Sequence, residues 1–285
     1  MRAHLDWLAL RGHTPASVYA RERALTRLLA ALPCDTLTGA TPDMLTAWRA
    51  GLQVTDSTVV HYAKHARNFY AWALTEGLVE VNPAAGLPLP RLGRRLPRPA
   101  AEADLMTALA AAPPRIRPWL VLAGWAGLRA REIALLRREN VLDTATPPVL
   151  LIAADATKGH HERAVPMHPL VLAELHAAGL PRAGWVFPRH DGQPGPNAPH
   201  MISHLANDHL HACGSPATLH QLRHRFGTQT YQASRDLRAV QELLGHASPS
   251  TTAGYAAYDQ PGAIAAVAAL PAPGRLTPVP SIAAG

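Results

Sequence analysis

The sequence predicts a mainly α-helical fold with one small β-hairpin, arranged as two domains. Three observations predict it. Apolar residues recur at helical spacing through most of the chain. One stretch, PPVLLIAADATKGHHERAVPMH, reads instead as two short strands flanking a turn near Lys158 to His161. Between the halves, GLVEVNPAAGLPLPRLGRRLPRP sets five prolines in about twenty residues and breaks regular structure as a domain junction does. The resulting division is residues 1–88, a linker at 89–99, and 100–285.

Each helix of the first domain is announced by a cap. Thr14-Pro15 opens one whose apolar positions are Val18, Leu25, Leu28, Leu29 and Leu32: the threonine oxygen can accept from a free amide, and proline has no N–H to satisfy. Thr41-Pro42 opens a second through Met44, Leu45, Trp48 and Leu52. A third starts near Ser57 and is expected to bury Val59, Ala66, Phe69, Tyr70 and Leu74. Its polar side carries His61, Lys64, His65 and Arg67, which could face DNA or simply solvent. In the second domain ADLMTALAAA and WLVLAGWAGLRAREIALLRREN read as helices ahead of the hairpin. HPLVLAELHAAG, PHMISHLANDHLHACG, LHQLRHRFGTQTYQA, DLRAVQELLG and SPSTTAGYAAY follow it, then an Ala-rich candidate helix, GAIAAVAAL, and a Pro/Ala/Gly tail.

Composition narrows the function. A chain of 285 residues that is 48% hydrophobic has ample material for packed cores. No apolar run approaches the ~18 residues of a membrane span, and the start lacks a secretory segment, so the expected location is the cytoplasm, with no membrane partner. Cys34 and Cys213 form no CxxC pattern and read as buried small apolar residues. The net charge of +7 points to an anionic partner, nucleic acid first. Four of those seven charges fall in residues 91–98, where Arg91, Arg94, Arg95 and Arg98 stand without an acid. With Lys64 and Arg67 they are the candidate phosphate contacts. The chain carries 16 histidines, but in HLANDHLH His204, His209 and His211 give no i, i+4 pair, and no metal site is expected.

Four separated motifs carry the chemistry. GLRARE places Arg129 and Glu132 one turn apart on a helix that begins after Gly127, and HQLR places His220 and Arg223 likewise. TKGHHERAVP puts Lys158 at the mouth of the hairpin. Gly245 can end one helix, Ser248-Pro249 can start the next, His246 falls in the joint, and Tyr255 lies nine residues beyond His246.

With these motifs in this order, nearly the whole chain resembles the tyrosine recombinase, or phage integrase, family. The resemblance implies that residues 1–88 are a helical core-binding, SAM-like DNA-binding domain, 89–99 a basic linker, and 100–285 the catalytic domain with a C-terminal tail. It implies catalytic Arg129, Lys158, His220, Arg223, His246 and Tyr255, with Glu132 supporting the arginine site. Tyr255 keeps the family's offset from His246, and Tyr258 is read as packing. A tyrosine with a pKa near ~10 is a weak nucleophile toward an anionic phosphodiester. Two guanidiniums can grip the scissile phosphate and stabilise its transition state, Lys158 can protonate the departing 5′-oxygen, His220 is the acid/base partner and His246 a donor to phosphate. The product is a 3′-phosphotyrosyl bond that keeps the energy of the broken linkage, so neither ATP nor a metal cofactor is expected.

The implied partners are double-stranded DNA at core attachment sites and three further copies of the chain, a homotetramer that passes through a Holliday junction. Integration or excision of a phage or mobile element, including viral genome integration in a bacterial host, is the expected role, with a directionality factor among the partners such a role allows. The start at HLDWLALRGHTP leads us to expect no arm-binding domain. Residues 262–270 are expected to dock on a neighbouring copy, and Gly254 to loosen the nucleophile's segment. The sequence departs from many relatives at Ala257, where they carry histidine. Alternatives are an Xer-like resolvase, a type IB topoisomerase, and a noncatalytic DNA-binding protein of the same fold.

Overall fold

Hydroxyl caps and a few buried aromatics set the first half. The computed structural model describes residues 1–93, 100–157 and 162–245, and the chain separates into two compact units, Met1–Arg95 and Leu96–Gly285. Unit 1 holds α1 (Arg2–Leu10), α2 (Pro15–Ala31), α3 (Pro42–Ala50) and α4 (Asp56–Thr75). Thr14 accepts from the Ser17 amide at 3.3 Å and Thr41 from Met44 at 3.3 Å, so both Thr-Pro starts act as caps. Leu25, Leu28, Leu45, Phe69, Tyr70 and Trp72 form the core, and the Tyr70 hydroxyl donates to the Leu37 carbonyl at 2.8 Å.

Three expectations for this unit need correction. The helix α1 had no capped start to announce it and places His4, Leu5 and Leu8 inside. Leu74 is exposed, and Trp72 and Ala73 take the buried positions on that turn. Cys34 and, in unit 2, Cys213 are half-buried rather than interior.

Unit 2 begins with α5 (Glu102–Ala110) and α6 (Arg117–Trp125). As expected, a new helix begins after Gly127, but it ends at Ala134, short of the stretch read as helical to residue 140. At Gly127 the backbone turns left-handed (φ 65°), the Leu128 amide returns to the Leu122 carbonyl at 3.1 Å, and α7 (Ala130–Ala134) starts in a new direction. A Cβ on Gly127 would lie 2.5 Å from the Phe226 ring, so glycine is needed for both conformation and space.

The hairpin is the larger part of a three-stranded antiparallel sheet in the order β1 (Val141–Leu142), β2 (Val149–Ile152), β3 (Arg163–Pro166). Leu150 pairs with Val141 and Val165, and all three side chains point into the core. A two-residue strand has no alternation to read, which is why β1 was not anticipated. Among the described residues four helices follow: α8 (Pro169–Ala177), α9 (Pro199–Ala212), α10 (Leu219–Ser234) and α11 (Leu237–Leu244). Trp119, Leu120, Leu122, Leu128, Ile133, Val171, Leu210 and Leu222 fill the space between helices and sheet. Among the described residues no helix is long and apolar enough to cross a membrane.

Candidate active site

Local sequence fixes each piece of the site. Arg129 is the N-cap of α7, and Glu132, at its third position, turns back to accept the Arg129 amide at 2.8 Å. Thr218 caps α10: its side chain accepts from the Gln221 amide while Gln221 accepts from the Thr218 amide at 2.9 Å. This fixes His220 and Arg223 in the first two turns. Asp236 caps α11 through the amides of Arg238 and Ala239, and Gly245 ends it in the left-handed conformation (φ 61°).

These ends meet at one buried carboxylate. Glu132 is 1% exposed. One of its oxygens accepts from Arg129 Nη1 at 2.8 Å and from Arg163 Nη1 at 3.0 Å; the other accepts from Arg163 Nη2 at 2.8 Å. Arg223 Nη1 stands 3.5 Å from that second oxygen and donates to the Gly127 carbonyl. The last carbonyls of α11 complete the cluster. Leu244 O accepts from Arg223 Nη2 at 2.6 Å and Arg129 Nη1 at 3.5 Å, and Leu243 O accepts from Arg163 Nε at 2.7 Å. A helix C-terminus carries partial negative charge, so cations are favourable there.

The electrostatics follow from burial set against charge. Burial pushes the Glu132 carboxyl up, but hydrogen bonding and charge from Arg163, then Arg223, outweigh it and hold the group below the usual carboxylate range. Burial, Arg223 and Arg129 push His220 below the ordinary imidazole value. His220 is therefore neutral at neutral pH and able to accept a proton. Its ring meets His224 edge-on at 4.6 Å, and burial with His220 and Arg223 lowers His224 to about 4.

Of the residues singled out from sequence, Arg129, Glu132, His220 and Arg223 therefore gather at one place, the first and last linked through Glu132. Lys158, His246 and Tyr255 lie outside the described residues, as do Arg94, Arg95, Arg98, Gly254 and the tail. The described chain ends at Gly245, one residue before His246 and ten before Tyr255. Arg163 was missed. It sits inside the quoted TKGHHERAVP, but its partner is 31 residues away, and only the sheet brings them together. Alternation along β3 is the one local signal, since it aims Arg163 and Val165 to the same side.

Other arginines are engaged within the protein. Arg225 is 4% exposed, makes two 2.8 Å hydrogen bonds to Glu102 and donates to the Gly124 carbonyl at 3.0 Å. Arg137 lies over the Trp185 ring at 3.9 Å and Arg138 pairs with Asp143. Arg67 donates to the carbonyls of Ala84 and Leu87, tying the chain after α4 to that helix. Lys64 and Arg91 are exposed.

The fold is that of a lambda integrase dimer bound to a COC′ core site (TM-score 0.72, 18% identity, 89% of this chain and 93% of that one). It is also that of XerH site-specific recombinase bound to a palindromic difH substrate in a post-cleavage complex (TM-score 0.72, 17% identity, 91% and 81%). The phage integrase family model matches residues 99–260. Tyrosine recombinase XerC of Xylella fastidiosa is 36% identical over 68% of this chain and 67% of its own length. Tyrosine recombinase XerD of Pseudomonas aeruginosa is 32% identical over 73% and 74%. The chain belongs to the phage integrase family and is a tyrosine-type site-specific recombinase.

Proposed function

We propose that the protein cleaves and rejoins double-stranded DNA at core attachment sites through a 3′-phosphotyrosyl intermediate, in the cytoplasm of a bacterial host and as a tetramer on DNA. The observation that carries this reading is the pair of guanidiniums, Arg129 and Arg223, held on one carboxylate at 2.8 and 3.5 Å beside the end of α11. In this reading the two cations hold the non-bridging oxygens of the scissile phosphate and take up charge as the transition state forms. The Tyr255 phenol gives its proton to neutral His220 and its oxygen attacks phosphorus. The bond to the 5′-oxygen breaks, and Lys158 protonates the departing oxygen while His246 donates to phosphate. Strand exchange reverses the step with a new 5′-hydroxyl, which needs no external energy.

Residues 1–88 are then the core-binding domain, with Lys64 and the linker arginines on the phosphate backbone. Phage and mobile-element proteins are represented among the structural likenesses by lambda and Tn1549 integrases, and integration or excision of such an element is the favoured role. Xer-type chromosome resolution is the second reading, favoured by identity to XerC and XerD above 30%. A nicked suicide duplex tests the chemistry: wild-type protein is expected to form a covalent adduct and Tyr255→Phe none. An adduct that survives Tyr255→Phe refutes the assignment, and no adduct with wild type favours a binding protein. Sequencing the DNA beside the gene then separates the roles, since an attachment site at an element boundary is expected for the first reading only.

A further inference from the structure

Arg163 takes no part in the reaction steps above, yet it is tied closely into the cluster. Its side chain is 7% exposed, and all three of its nitrogens are engaged: Nη1 and Nη2 on the two oxygens of Glu132 at 3.0 and 2.8 Å, and Nε on Leu243 O at 2.7 Å. With both oxygens of one carboxylate and a helix-end carbonyl on its nitrogens, Arg163 is assigned a structural part and no phosphate. Arg129 differs, with 29% of its side chain exposed.

Two consequences follow from that geometry. A carboxylate gripped through both oxygens cannot rotate, so Glu132 offers Arg129 and Arg223 fixed positions. Without Arg163 the same charge would be free to close on either arginine and draw it off the phosphate. In addition, Arg163 braces the final turn of α11, whose next carbonyl, Leu244 O, holds Arg223. The approach is close: a Cβ on Gly245 would stand 3.2 Å from Arg163 Cδ and Nη1. We propose that Arg163 is a positioning residue for DNA cleavage, which locks Glu132 and the end of α11 so that Arg129 and Arg223 keep one arrangement. The proposal rests on the recombinase reading above. It also requires arginine specifically, because lysine lacks the planar fork that meets two oxygens and a carbonyl at once.

The test compares wild type with Arg163→Lys and Arg163→Met on the nicked suicide duplex, alongside hydrogen exchange of residues 240–245 without DNA. Single-turnover adduct formation is expected to fall about 100-fold in Arg163→Met and about tenfold in Arg163→Lys, the scale of an ångström-sized misplacement, with DNA affinity within about threefold of wild type. Exchange at the end of α11 should be faster in both. Glu132→Gln combined with Arg163→Met should be no slower than the slower single variant, since the two act as one unit. If Arg163→Met does not fold, Arg163→Lys decides. Wild-type cleavage rates in the variants, or unchanged exchange, overturn the proposal. Wild-type protein that makes no adduct sinks the recombinase reading separately, and the exchange arm, which needs no DNA, still reads the bracing: faster supports it, unchanged refutes it.

Discussion

Single residues with no substitute explain why this site exists at all. Gly127 turns the chain where α6 ends, and its carbonyl then receives Arg223. Gly127→Ala would meet both the left-handed backbone and the Phe226 ring at 2.5 Å, and destabilisation of at least about 2 kcal/mol is expected, read as a lowered urea midpoint. An unchanged midpoint would show that the turn tolerates a side chain. Glu132 and the paired arginines were readable because each motif is local: one helical turn separates its members. Arg163 was not, because its meaning comes from a strand pairing that sets it against a residue far back in the chain. The half-buried cysteines were misjudged for a related reason, since small size says where a side chain can fit and not whether a core surrounds it.

Among elements, the caps carried more information than hydrophobic spacing. Thr14, Thr41 and Gly245 each sit where a terminus was anticipated. Apolar periodicity alone carried the helix after Gly127 on toward residue 140, although α7 stops at Ala134, and it placed Leu74 inside. Caps report on satisfied backbone amides, a local matter, whereas the buried face depends on what packs there. The capping box at Thr218 is the case with a functional reach, because α10 presents His220 and Arg223 from its first turns. Thr218→Ala should cost about 1 kcal/mol and slow cleavage more than it lowers the melting temperature would suggest, whereas Thr41→Ala should cost a similar amount with no effect on rate. Equal rates in the two variants would detach the cap from catalysis.

Across the whole molecule the two units share one liability, histidines kept neutral by full or partial burial and by neighbouring cations. In unit 1, His4 and His65 are lowered to about 4, chiefly by burial and then by Arg21, with the amino terminus and His13 acting on His4 and His61 and Lys64 on His65. In unit 2, His220 and His224 are lowered as well. A folded pKa below the ordinary ~6.5 means the unfolded chain binds the proton first, so this stability is complete above ~6.5 and drains as pH falls toward ~4. Each histidine shifted to about 4 contributes at most about 3 kcal/mol in that window. Glu132 and Glu102, both held below the usual carboxylate range, keep their charge until lower pH. Melting temperatures taken from pH 7 to 4.5 should therefore drop before those carboxylates titrate; a flat profile would contradict the neutral assignment. The same imbalance has a practical side at the Glu132 cluster, where one negative side chain answers three positive ones. Mutual repulsion among cations is relieved by any tetrahedral anion small enough to enter, so sulfate in the buffer should raise the unfolding temperature more than chloride at equal ionic strength. Arg129→Gln should erase that difference; if it persists, the ion is acting elsewhere.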